Sequence, residues 1–337
     1  MRKQFFFGLL ALIVFFIGSC TCRREPKIPL ASIDVEVKVK RFDKALFGIG
    51  IDNIGEGVAM LQENYETFFP LFTEGIIGIG LPDTPEFSDY LLSFITDNMV
   101  TETYDEVQKV FPNTDELDRS LTNAFKRYRY YFPEKQIPEV ISFVSGFNNS
   151  VIIADSVLAV GLDRYLGRDC PFYPQLGIHK YLQYNMHPNK IASDLIRSWA
   201  FGEFFFNDSI DNLLNNMIYE GMLMYFTKTL LPEQPDSLIF GFTPDQMKWC
   251  TNNESQMWAH LVEHKLLFTT EGFTINQFIS GAPFTHGFTN ESPGRAVVWL
   301  GYRIVRRFME RNKDYDLSKL MEETDYQSIL NRARYNP

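Results

Sequence analysis

The chain has 337 residues, of which 45% are hydrophobic, 15% aromatic and 22% charged. That is enough apolar material for a full core, and it excludes intrinsic disorder and a collagen-like repeat. Acidic residues outnumber Lys and Arg by 42 to 32, a net charge of −10, and no basic stripe compensates, so nucleic acid is not an expected partner.

The N-terminus carries the first signal. Met1-Arg2-Lys3-Gln4 is cationic, and Phe5 to Ile17 is an almost unbroken apolar run. As a helix that run spans about 20 Å, too short for a ~30 Å hydrocarbon core, and it fits the apolar region of a secretory signal. Ile17-Gly18-Ser19-Cys20 follows and resembles a bacterial lipobox. Small residues admit the peptidase, and the Cys20 thiol takes the diacylglyceryl group. Several acyl chains, each methylene contributing about 0.8 kcal/mol on burial, make a lasting anchor. The alternative is an ordinary cleaved signal with an incidental Cys. Residues 1–19 are thus read as a lipoprotein signal peptide, 20–30 as a lipidated tether with two prolines, and 31–337 as the folded domain. Loss of Arg2 and Lys3 with the signal leaves a charge of −12. Cys22, Cys170 and Cys250 then remain, with no CxxC. They permit one disulfide and exclude a cysteine-based zinc site.

Ile33, Val35, Val37 and Val39 alternate with Asp34, Glu36, Lys38 and Lys40, a period that predicts a half-exposed strand. Phe87, Leu91 and Phe94, and then Leu117, Leu121, Phe125, Tyr128 and Phe132, recur at helical spacing. Lys126 to Tyr131 mixes basic and aromatic residues, but its aromatics follow the core period, which makes it a solvated basic face. Between Pro138 and Gly167 the runs Val140–Val144, Val151–Ala154 and Val157–Gly161 predict a small antiparallel meander. From Lys190 onward the chain reads as helical. No repeat or internal linker divides it, so the expected fold is a single helix-rich α+β domain with a small antiparallel sheet.

Two central helices carry the informative chemistry. One is predicted over about 189–206, with Ile191, Leu195 and Trp199 on one side. The other is predicted to start near Asp208-Ser209, plausible N-caps, and to run to Pro232. Leu213, Met217 and Met224 frame Glu220 at helical steps and place it on the apolar stripe. A buried carboxylate needs a partner or a proton, and Gly221 beside it permits close approach of another backbone. The arrangement resembles zinc peptidases in which HExxH supplies two ligands and a general base, and a later Glu the third ligand. Here the first helix reads Arg197-Ser198-Trp199-Ala200-Phe201, so both His positions and the base are replaced. One carboxylate would not retain zinc. Arg197 stands where the metal charge would be, and an Arg197–Glu220 ion pair is expected.

A second metal-like string is His260-Leu261-Val262-Glu263-His264, an HxxEH sequence. His260, Glu263 and His264 are the metal candidates it offers, with Glu322 or Glu323 as the third ligand. Trp258, Leu261, Val262, Leu266 and Leu267 read as core packing, which puts the His pair on a solvated edge and favours a chance match. No cofactor is expected. There is no G-x-S-x-G, P-loop or dinucleotide fingerprint, and His179, His187 and His286 are scattered.

The C-terminal third contains Asn253-Glu254, Met257-Trp258, Ala282-Pro283-Phe284-Thr285, Ser292-Pro293-Gly294-Arg295 and Trp299 through Arg306. With Cys20, Gly161 through Gly167, Tyr219-Glu220-Gly221-Met222 and the final Arg334-Tyr335-Asn336-Pro337, this ordered set resembles the GldB family of gliding-motility-associated lipoproteins of Bacteroidetes. The likeness covers nearly the whole mature chain and is least specific from Asp52 to Glu134. It implies a zincin-like fold with a degenerate peptidase site, and an envelope lipoprotein that serves gliding or a related envelope function. The expected partners are the membrane, through the lipid, and other envelope proteins, including the gliding machinery. The absence of an acidic cluster after Cys20 points to the periplasmic face, with the outer membrane favoured over the inner. Ser292-Pro293 reads as the start of a buried helix, with Gly301 admitting a close neighbour. Arg295, in its first turn, needs an anion nearby and joins Arg197 and Glu220 as a residue of a remnant cleft. An active zinc metallopeptidase and a glycan-binding lipoprotein are the competing functional classes.

Overall fold

Two strands without polar alternation organise the centre of the molecule. The structure, a computed structural model, describes residues 28–337; the signal, Cys20, Cys22 and most of the tether lie outside the described residues. Strands β1 (Val39–Arg41), β2 (Glu139–Phe143), β3 (Val151–Ala154) and β4 (Val157–Gly161) form one sheet in the order β1-β2-β4-β3. β1 pairs parallel to β2, and β2 parallel to β4; only β3 and β4 are antiparallel. The meander expectation is therefore corrected to a mixed sheet. β2 and β4 are buried on both faces, as strands flanked by other strands and covered by helices are, whereas β3 is half-buried at the edge. Their unbroken apolar runs carried that information.

The period of two in β2 and β4 divides the core. Ile141, Phe143, Val157 and Ala159 face an N-terminal helical layer, in which Phe42 packs 5.1 Å from Phe68 and 4.9 Å from Phe72. Val140, Leu158 and Val160 face the main helices of a second layer. Those helices are α1 (Asp115–Tyr131), α2 (Ile191–Glu203), α3 (Leu213–Leu230), α4 (Glu254–Glu263) and α5 (Ala296–Arg311). Among the described residues no helix is long and apolar enough to cross a membrane.

The valine alternation at 33–39 sorts the side chains correctly but not the partner. Val37 and Val39 are buried, yet only Val39–Arg41 joins the sheet. Val37 N–H donates to Thr122 Oγ1 at 3.0 Å, Thr122 Oγ1 donates back to the Val37 carbonyl at 3.1 Å, and Val39 N–H donates to Asp118 Oδ1. Polar side chains of α1 take the place of a neighbouring strand.

Helix starts also shift. α3 begins at Leu213, not at Asp208-Ser209, because Asn212 accepts from Asn215 N–H at 2.8 Å and Asp208–Ile210 forms a separate 3-10 turn. α2 ends at Glu203 rather than Phe206. α5 begins at Ala296 rather than at Ser292-Pro293. Ser292 Oγ instead donates to the Thr289 carbonyl and accepts from Thr285 N–H, while Thr285 Oγ1 accepts from Ala296 N–H at 2.8 Å. A threonine eleven residues upstream does the capping.

Candidate functional site

α2 and α3 bring Arg197 and Glu220 together. Ile191, Leu195 and Trp199 are buried on one side of α2, which turns Arg197 toward α3. α3 is apolar around most of its circumference, with Leu213, Met217 and Met224 buried as their spacing predicts. The Glu220 side chain is 16% exposed and each arginine side chain 27%. Arg197 Nη2 donates to Glu220 Oε2 at 2.6 Å, and Arg295 Nη2 donates to the same oxygen at 2.9 Å. Neither pair is bidentate; two guanidiniums share one carboxylate oxygen. The three expected cleft residues thus form one cluster.

Two backbone features hold it. α3 and α5 cross at Gly221 and Gly301, where a Cβ on either residue would collide with the other helix's backbone. Arg295 is not in the first turn of α5 but immediately before it, in the left-handed region at φ 63°. That conformation costs a non-glycine residue on the order of 1–3 kcal/mol, and the surrounding contacts hold it. It swings the side chain back onto Glu220.

The electrostatics follow from burial and count. Burial disfavours an ionised Glu220, but the charges of Arg197 and then Arg295 outweigh it and hold its pKa below the usual carboxylate value. Burial works against the Arg197 charge, and Glu220 overrides it and raises the pKa. Arg295 is pushed down to about 10 by burial first and by the like charge of Arg197 second, still charged at neutral pH. The trio carries one surplus positive charge. Arg197 Nε is buried without an acceptor. One turn earlier on α2, Asp194 accepts from Lys190 Nζ at 2.6 Å and from Tyr165 Oη at 3.0 Å. The sequence reading missed this carboxylate, although its step of three from Arg197 places it close to the same helix face.

The other candidates sit elsewhere. His260 lies on α4 and His264 just past its end, with ring centroids 4.3 Å apart. Leu261 and Leu267 are buried as expected, but Val262 is 48% exposed, so the string lies along the margin of the core. Glu323 is engaged by Tyr315 Oη and Asp325 N–H. Among the described residues no group of three or more His, Cys, Asp or Glu is placed to hold a metal ion. Cys170 and Cys250 are buried and free, so the permitted disulfide does not join them. His179 stacks near Tyr181 and is not a partner of Glu220.

Fold and cluster together define a helix-rich α+β domain centred on a carboxylate held by two arginines. The family model described as gliding motility protein GldB matches residues 21–337, and the chain belongs to that family of gliding-motility-associated lipoproteins. No curated protein and no solved structure matches the chain. The likeness to zinc peptidases rests on the pattern of α2 and α3 alone.

Proposed function

We propose that the protein is a lipid-anchored component of the cell envelope, held at Cys20 and facing the periplasm, from the outer membrane in preference to the inner. It works through contacts with other envelope proteins, including those of the gliding machinery, and its Arg197–Glu220–Arg295 cluster is a non-catalytic charge lock in a degenerate peptidase-like site. The shared Oε2 carries this reading. A general base acting near neutral pH needs a pKa raised toward 7, whereas Glu220 is held low by two arginines. Its engaged oxygen is also closed to a cation by the guanidiniums themselves. The family supports a motility-associated role.

Fractionation and pull-down test the proposal together. Cys20→Ala should move the mature protein from the membrane fraction to the soluble periplasm or stall its processing. Unchanged, detergent-dependent membrane association would count against lipidation there. Wild-type protein captured from its own membranes should bring envelope partners with it, and Glu220→Gln should leave any peptide-hydrolysing activity of the preparation unaltered. Loss of such an activity in that variant, with folding intact, would overturn the non-catalytic reading.

A further inference from the structure

Val39 is bonded to Asp118 and Val37 to Thr122, so the chain traced back from β1 runs toward the C-terminal end of α1. Asp34 to Lys38 share a groove there with Arg129. The N-terminal segment therefore leads back toward that end of the molecule. Phe132, just past α1, packs against Phe204 with centroids 5.2 Å apart, and Lys135 Nζ meets Glu203 at 2.7 Å. The end of α2 and the loop after it lie at the same pole.

That pole is apolar where solvent would be expected. Phe201 is 54% exposed, Phe205 81%, and Ile210 and Phe268 60% each. Phe206, between them, is turned inward onto Tyr219 and Tyr326. Leu213 N–H donates to the Thr269 carbonyl at 3.1 Å, which sets the turn carrying Phe268 beside the segment carrying Ile210. Single exposed apolar residues are ordinary; several on adjoining segments mark a contact surface.

We infer that the Phe201, Phe205, Ile210 and Phe268 surface rests in the interface of the lipid bilayer to which Cys20 is tethered. The inference rests on the lipid-anchor reading above. Eight peptide steps separate Cys20 from Ile28, a reach of at most about 29 Å. The anchor therefore holds the bilayer within that reach of Ile28, on the side toward which the N-terminal segment leads. Aromatic and aliphatic side chains at that depth bury apolar area among headgroups and upper acyl chains. Asp208 and Asp211 flank Ile210 and disfavour attraction to anionic headgroups. The fitting occupant is a predominantly zwitterionic surface entered by apolar contact.

Spin labelling of the full lipidated protein in phosphatidylcholine vesicles tests this. A Cys22→Ser background leaves Cys170 and Cys250, both buried, and a label is placed by Phe205→Cys. Tyr90→Cys, 55% exposed in the helical layer across the sheet, is the control. On vesicles the label at 205 should lose accessibility to a water-soluble nickel chelate and gain it to oxygen, while the label at 90 should not change. Equal chelate accessibility at both positions, with the protein still vesicle-bound, would overturn the docked surface and leave the anchor standing. Protein that does not stay on vesicles would overturn both.

Discussion

Gly221 and Gly301 face each other where α3 and α5 cross, so close that a Cβ on Gly221 would strike the Gly301 carbonyl carbon and the Tyr302 nitrogen. A Cβ on Gly301 would in turn strike the Met217 carbonyl. Backbone, rather than a flexible side chain, is the obstacle in both directions, so local adjustment is small. Gly301→Ala and Gly221→Ala should each destabilise by about 1–3 kcal/mol or more, the range for overpacking a filled core. Denaturant midpoints measure the loss. A change under about 0.5 kcal/mol would show that the helices separate freely.

The same crossing seats Glu220 between its two arginines, and their unequal number predicts an unequal response. Arg197→Met leaves Glu220 paired with Arg295, so its cost should be about 1–3 kcal/mol. Glu220→Gln leaves two largely buried guanidiniums with only the more distant Asp194 as counter-charge and should cost about 3–5 kcal/mol, the cost of stranding a buried charge. The double change Arg197→Met with Glu220→Gln should be less damaging than Glu220→Gln alone. Purely additive losses in that cycle would deny the coupling.

Stability should vary with pH through two carboxylates of opposite sign. Asp163 is completely buried, accepts from Ser145 and Phe147 N–H at 3.0 and 2.7 Å, and has its other oxygen unpartnered. Burial raises its pKa to about 6. A folded value above the unfolded one of about 3.9 means its contribution is full below pH 4 and is lost as pH rises through 6. Glu220, with its pKa lowered, contributes above the unfolded carboxylate value and loses that contribution as pH falls through the folded one. Asp163→Asn keeps an acceptor for the two N–H groups without a charge. It should flatten the stability profile between pH 4 and 7, which thermal melts across that range would show. An unaltered slope would mean Asp163 ionises without penalty.

Purified without chelator, the protein should carry substoichiometric zinc, because His260 and His264 are adjacent and, among the described residues, they belong to no group of three or more placed to hold a metal ion. His260→Ala should not alter metal content by mass spectrometry. One tightly bound zinc per chain, lost in that variant, would promote the HxxEH string to a site.

Much of the centre was legible because its information is local and periodic. The four, three and four steps around Glu220 put it on the packed side of α3, the substituted HExxH position singled out Arg197, and two glycines in apolar helices announced a close crossing. Local chemistry also settled which side chains of 33–39 turn inward. It could not settle what those residues bond to. Thr122 and Asp118 are some eighty residues away, and a backbone N–H donates to a hydroxyl or carboxylate oxygen as readily as to a strand's carbonyl. Strand order was hidden for a related reason: the β3–β4 hairpin is a local event, whereas the parallel pairing of β2 with β4 depends on helices covering both faces.

The sequence by itself determined the composition of the core, the helix-rich α+β class and the demand of a buried carboxylate for a cationic partner, since burial and periodicity are properties of each segment. Only the tertiary structure decided that Glu220 has two partners. Arg295 reaches it from a left-handed residue ahead of α5, and the helix start that allows this is capped by Thr285 rather than Ser292. A strained backbone and a distant cap gain their compensation from long-range contacts, which no local pattern records.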